Sequence, residues 1–153
     1  MTASHRYPAP ARAIRPSKFW APKLPAKAID EARNEHWNLI AKFTSGTATK
    51  ADVWTWMLTG FIYSQMMTLL AADGEQFTQE AVHFITEQLL TYDSVGERLQ
   101  RTGRAGFSGD ELMTARAAAC VMDSLVELDR FGFLEQATTW AHEQMGRRLG
   151  LAV

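Results

Sequence analysis

The sequence predicts an all-α fold: a compact bundle of about five helices with a central hydrophobic second helix, preceded by an extended proline-rich basic tail. All five prolines lie within residues 8–25, and proline is poorly tolerated inside a helix. After residue 25, apolar side chains recur at spacings of three and four, the period of an amphipathic helix. No segment alternates apolar and polar residues long enough to indicate a β-strand.

The position of the last proline also predicts the domain organisation. With 153 residues, of which 46% are hydrophobic, the chain is long enough for one domain with a core and short for two. Pro25 suits the first turn of a helix. We therefore predict a tail over residues 1–25 and a single α-helical domain over residues 26–153.

The first two helices are bounded by residues that start and stop helices. The first is predicted over residues 26–43, where apolar side chains recur every three or four positions. The second begins at Thr49, whose hydroxyl can cap the new helix while Asp52 completes a capping-box pair. It continues to about Ala72, where an Asp-Gly pair ends it.

The second helix is the most informative about packing. Its polar residues lie on one side of the first half and on nearly the opposite side of the second half: Asp52, Thr55 and Thr59, then Ser64, Gln65 and Thr68. Gly60 stands at the crossover. A helix with this pattern is contacted on different faces at its two ends, so we expect it to be central or to face another subunit with one half.

The same helix contains a stretch without charge, residues 53–71, which is nominally long enough to span a bilayer. Polar residues interrupt it, with Gln65 near its centre. Asp52 and Asp73 flank it, where a membrane helix carries lysine or arginine. A helix buried in a protein core explains the stretch better, and we expect no membrane partner.

The last three helices also have recognisable starts. The third begins with Thr78 as its cap. The fourth opens with a capping box formed by Ser108 and Glu111 and is predicted to end at Arg130. The fifth is predicted over residues 133–148. Short connections between helices mean that sequential neighbours pack antiparallel.

The motifs indicate no catalytic, metal or cofactor site. Glu80-x-x-His83 has the spacing of di-iron bundle ligands, but the sequence holds no second such pair. Cys120 stands among alanine, valine and methionine, so we expect a small buried hydrophobe. An enzyme would have to gather its residues from several helices, with these candidates: Glu35, His36, Glu80, His83, Cys120 and His142. We favour a protein without catalytic activity, metal or cofactor.

One segment of the body has the composition of a weak anion-binding site. Arg98, Arg101 and Arg104 add positive charge beside glycines 103, 106 and 109, and a helix begins directly afterwards. The acidic residues of that helix's first turn already neutralise its end. The interpretation favoured here is therefore a loop between helices with solvated arginines.

Charge is divided unevenly along the chain. Residues 1–29 contain six bases and no acid, whereas residues 30–153 contain 10 bases and 17 acids, which gives +6 and −7. The predicted partner-binding residues are the bases of the tail and its aromatic pair: Arg6, Arg12, Arg15, Lys18, Phe19, Trp20 and Lys23. We expect this tail to dock on its own acidic domain or on a partner subunit.

These observations favour a small helical protein-interaction or regulatory protein. Five tryptophans and seven methionines, types over-represented at binding surfaces, favour a protein partner or self-association as a homodimer. The alternative is a nucleic-acid-associated accessory protein that uses the basic tail and the Arg98–Arg104 region. A cytoplasmic location is expected, because the single cysteine excludes an intrachain disulfide.

Overall fold

Five helices and no strand make up the part of the chain that the structure, a computed structural model, describes: residues 24–148, which are 82% helical. The all-α prediction is confirmed. The helices are α1 (Ala26–Ser45), α2 (Lys50–Ala72), α3 (Gln79–Thr102), α4 (Gly109–Leu128) and α5 (Phe133–Arg148).

The predicted capping residues start three of these helices. Thr49 accepts a hydrogen bond from the Asp52 backbone N–H, and the Asp52 carboxylate accepts one from the Thr49 backbone N–H. Ser108 and Glu111 form the same reciprocal pair at α4. Thr78 caps α3. Because such bonds join residues three apart, they form wherever the local sequence allows them.

The helix α2 contacts each of the other four helices, which confirms that the hydrophobic second helix is central. Its polar stripe meets different surroundings at its two ends. Asp52 accepts a hydrogen bond from Lys42 of α1 at 3.0 Å, whereas Thr68 is exposed. Between them, Trp56 and Met66 are fully buried in two different hydrophobic clusters. The change of side in the sequence therefore reflects a change in which helices cover α2.

The side chains of α3 pack closely on Gly60 of α2. A Cβ atom added there would lie 2.3 Å from Oε1 of Gln88. The Gln88 side chain is 0% exposed, and its Nε2 donates to the carbonyl of Trp56 at 3.0 Å. The Trp56 indole in turn donates to the Thr91 hydroxyl at 2.8 Å. These polar contacts fix where α3 crosses α2.

The helices α1 and α2 are antiparallel. Phe43 contacts Trp56, with ring centroids 6.1 Å apart, and His36 contacts Tyr63 at 5.6 Å. Residue numbers thus rise along one helix as they fall along the other. Leu24, just before α1, packs on the hydrophobic cluster around the end of α2. The first residue that the structure describes therefore lies far from the beginning of α2.

The helix α4 corrects two expectations. Its alanines pack into the core, with Ala115, Ala118 and Ala119 fully buried, whereas Cys120 is exposed rather than buried. One residue advances a helix by about 100°, which turns Cys120 away from the face that carries the alanines. The helix also ends at Leu128, before the predicted Arg130, because Asp129 adopts an extended backbone conformation.

Asp129 serves as an acceptor at the start of α5, a role that the sequence analysis missed. It is fully buried, and its two carboxylate oxygens accept backbone N–H groups of Phe131, Phe133 and Leu134 at 2.9–3.1 Å. The start of a helix has backbone N–H groups without partners inside the helix. Asp129 thus ends α4 and stabilises the first turn of α5.

Among the helices of residues 24–148, none combines the length and the apolarity needed to cross a bilayer.

Candidate functional site

An open groove lies between the first turns of α2 and the second half of α3. It has a volume of about 610 Å³, and its apolar lining comes from both helices: Val53, Trp54, Met57, Tyr92 and Leu99. Trp54 is 39% exposed. Ligand sites in proteins commonly measure about 300–1,000 Å³ and are lined mainly by such side chains. The groove is therefore large enough to accept aromatic side chains of another segment.

The rim of this groove is charged, with an acidic excess. Asp93 and Glu97, both exposed, stand on α3, and Lys50 stands on α2. Gly96 lies between the two acids, and the nearest atom to a Cβ added there would be Cγ1 of Val53 at 3.9 Å. The missing side chain at Gly96 thus leaves room over α3. An extended segment with basic and aromatic residues matches this lining.

A second, smaller cavity of about 160 Å³ lies among α1, α2 and α5. It brings together three of the six residues considered for an enzyme, namely Glu35, His36 and His142. The other three, Glu80, His83 and Cys120, are exposed and do not line this cavity. Within the described part of the chain, no three His, Cys, Asp or Glu side chains group closely enough to hold a metal ion.

The innermost polar residue of this cavity is His36, which is 1% exposed. Its Nε2 lies 2.7 Å from Oδ1 of Asp123, and the Trp37 indole donates to the other carboxylate oxygen at 3.0 Å. Burial lowers the pKa of His36 from 6.5, although the hydrogen bond to Asp123 opposes this. The imidazole is therefore neutral at pH 7, with its proton on Nε2 because the carboxylate can only accept.

Tyr63 faces the other ring nitrogen of His36. Its hydroxyl lies 3.5 Å from Nδ1, a long and weak hydrogen bond in which the phenol donates. Burial raises the pKa of Tyr63 strongly, and the negative charges of Glu35 and Asp123 raise it further. The phenol consequently keeps its proton. Asp123 and Tyr63 were missed by the sequence analysis. The position of His36 among the apolar residues of α1 already indicated a buried polar group that needs such partners.

Of the three arginines in the predicted anion-binding segment, one already has hydrogen-bond partners within the protein. Arg98 donates to Oε1 of Glu111 at 2.8 Å and to the carbonyl of Gly106. Burial opposes ionisation of Glu111, but hydrogen bonds from Ser108, Ser94 and Arg98 outweigh it and lower the pKa. Arg101 and Arg104 are exposed. Their side chains stay accessible to an anion, whereas Arg98 already binds a carboxylate.

The predicted partner-binding residues of the tail, which are Arg6, Arg12, Arg15, Lys18, Phe19, Trp20 and Lys23, lie outside the described residues. Comparisons with known protein families, curated proteins and solved structures give no match for this chain. The groove and the cavity are therefore interpreted from their own geometry and charge.

Proposed function

We propose that this chain is a small helical protein-interaction or regulatory protein without catalytic activity, and that it self-associates in the cytoplasm. The groove between α2 and α3 is the observation that carries the proposal. Trp54 borders it with more than a third of its surface exposed. Tryptophan is enriched among the residues that contribute most to binding at protein interfaces.

The proposed occupant of the groove is the basic tail of a second copy. Its bases complement Asp93 and Glu97 at the rim, and its aromatic pair, Phe19-Trp20, suits the apolar lining. Prolines on both sides of that pair favour an extended course, which can lie along a groove between two helices. Mutual exchange of tails would give a symmetric dimer.

The length of α1 favours a second copy over the chain's own tail. This helix has 20 residues and spans about 30 Å, so the groove beside the start of α2 lies more than about 20 Å from Leu24. Trp20 precedes Leu24 by four residues, which extend over at most about 14 Å. The backbone of Trp20 therefore falls short of the groove of its own domain, which favours the groove of another copy.

Light scattering over a range of concentrations tests the proposal. We expect the full chain to dimerise, and Phe19→Ala/Trp20→Ala and Trp54→Ala to shift it to monomer. Met113→Ala is the matched control, because Met113 is an exposed apolar residue of α4 outside the groove. A full chain that stays monomeric, or dimerisation unchanged by the tail substitutions, would overturn the proposal.

Shortened chains distinguish docking of the tail on a second copy from docking on its own domain. A chain that begins at residue 14 keeps the aromatic pair and is expected to dimerise, whereas one that begins at Leu24 is expected to be monomeric. If the full chain and the chain that begins at Leu24 are both monomeric and the shorter one is less stable to heat, the tail docks on its own domain. That outcome contradicts exchange between copies.

The alternative, a nucleic-acid-associated accessory protein, rests on the tail and on the exposed Arg101 and Arg104. The engagement of Arg98 by Glu111 weakens it. Binding to non-specific DNA should then fall steeply as salt rises, because phosphate contacts release counterions. Absence of binding at low salt would remove this alternative.

A further inference from the structure

We infer that the cavity among α1, α2 and α5 binds a small organic cation, an ammonium group carried on a short aliphatic chain. This goes beyond the proposed self-association and uses a different surface. The cavity of about 160 Å³ has room for roughly five water molecules, or a ligand of similar size. Its lining combines aliphatic side chains, such as Ile62 and Leu134, with oxygen atoms from three hydroxyl groups.

Two of these hydroxyls have already used their protons. Thr59 donates to the carbonyl of Thr55 at 2.8 Å, and Thr138 donates to the carbonyl of Leu134 at 2.7 Å. A threonine hydroxyl has one proton and two lone pairs. Both threonines line the cavity, so each can offer a ligand only lone pairs.

The third hydroxyl, that of Tyr63, also donates inside the protein, but over the longer distance of 3.5 Å. The neutral His36 ring keeps its proton on Nε2 beside Asp123, so Nδ1 accepts the proton that the phenol donates. The phenolic oxygen then has lone pairs left for a ligand. Thr59 and Tyr63 lie one helical turn apart on α2 and are 6% and 4% exposed.

The charges around the cavity select a positive ligand. Glu35 stands at the mouth, and Asp123 lies behind His36. Both negative charges act at the Tyr63 hydroxyl, where they disfavour the phenolate. Arg33 does not line the cavity; it pairs with Asp123 at 3.8 Å and with Glu127. His142, exposed at the mouth, can present either a lone pair or an N–H.

An ammonium group fits this set of acceptors. It carries three N–H donors and no acceptor, and the cavity offers three hydroxyl oxygens, of Thr59, Tyr63 and Thr138, together with the Glu35 carboxylate. Hydrogen bonds to a charged donor are stronger than those between neutral groups. They offset the cost of removing the cation from water. A carboxylate ligand would meet the lone pairs of these hydroxyl groups and the negative charge of Glu35, with only an N–H of His142 at the mouth to bind it.

Titration of the full chain with n-butylammonium, followed by NMR of the His36 and Tyr63 ring signals, tests the inference. We expect saturable binding at least tenfold tighter than that of the uncharged n-butanol, and none of butyrate. Butanol or butyrate binding as tightly as butylammonium would overturn the inference, as would the absence of saturable binding.

Substitutions then locate the site. Thr59→Val should weaken butylammonium binding at least tenfold, and Thr55→Val is the matched control, because Thr55 also donates to a carbonyl of α2 but does not line the cavity. Glu35 is exposed, so Glu35→Gln removes the charge without threatening the fold and should weaken binding by a similar factor. Unchanged affinity in Glu35→Gln, or in a folded Thr59→Val, refutes the assignment.

A lysine side chain presents the same ammonium group as a free amine. If Lys18 or Lys23 of the tail occupies the cavity, the Lys18→Ala/Lys23→Ala variant will bind butylammonium more tightly than the unaltered chain. Equal affinity in the two chains excludes these two lysines and favours a free amine as the ligand. Both results keep the cavity as an ammonium site, and neither depends on whether the chain dimerises.

Discussion

Replacement of Gly60 by alanine should destabilise the fold, although alanine favours a helix more than glycine does. The residue lies in the middle of α2, where exchange of glycine for alanine normally gains about 1 kcal/mol. Here the new Cβ would lie 2.3 Å from Oε1 of Gln88 and 2.9 Å from Cδ1 of Leu89. Real Cβ atoms do not approach other atoms so closely, so the side chains of α3 must move.

The cost of that movement follows from what Gln88 does. Its side chain is fully buried, and its Nε2 donates to the carbonyl of Trp56. Loss of such a buried hydrogen bond costs about 1–3 kcal/mol. The overpacking of the core adds about 1–3 kcal/mol. After the gain in helix propensity is subtracted, Gly60→Ala should lower the free energy of unfolding by about 1–5 kcal/mol.

Urea denaturation followed by tryptophan fluorescence and by circular dichroism measures this change. The matched control is Gly96→Ala in α3, where the nearest atom to the new Cβ is 3.9 Å away, and it should stabilise the protein by up to about 1 kcal/mol. With Gln88→Ala already present, Gly60→Ala should lose most of its cost, because only the movable end of Leu89 remains close. A Gly60→Ala protein as stable as the unaltered chain would refute the proposed helix crossing.

Three further substitutions test the buried polar groups. Because burial lowers the pKa of His36, the unfolded chain binds more protons than the folded chain just below pH 6.5. The free energy of unfolding should therefore fall as pH falls through this range, and in urea denaturation His36→Gln should make it depend less on pH. Asp129→Ala should lower the free energy of unfolding by about 2 kcal/mol in the same assay, because Asp129 caps α5. Asp110→Ala, at an exposed helix start, should lower it by less than about 1 kcal/mol. Equal losses in the two variants would contradict the capping role of Asp129. The hydrogen bond from the Thr49 backbone N–H, together with Lys42, lowers the pKa of Asp52 in the folded protein. The contribution of Asp52 to the free energy of unfolding is therefore complete above pH 3.8 and is lost as pH falls through the lower folded pKa. Asp52→Asn should remove this loss of stability in acid, and an unchanged acid transition would contradict the assignment.

The sequence by itself determined the helices and most of their limits. Thr49 with Asp52, and Ser108 with Glu111, form bonds over three residues, and a rule about spacing is sufficient to find them. The absence of proline after Pro25 and the helical period of the apolar residues predicted the remaining helices. The change of polar side along α2 even predicted its central place, because burial on a given face must leave its mark in the residues of that face.

Only the tertiary structure decided where the helices cross and which side chains meet. His36 and Asp123 are 87 positions apart, and Gln88 reaches the Trp56 carbonyl across 32. Helical period places a residue on a face, but the angle at which two helices pack depends on the size of the side chains between them, as the absent side chain of Gly60 illustrates. The groove beside Trp54 and the cavity beside His36 are products of those packing angles, and so is the exposed fraction of each side chain within them. Local hydrogen bonding and periodicity act over a few residues, whereas a site is formed by contacts between residues that are distant in the chain.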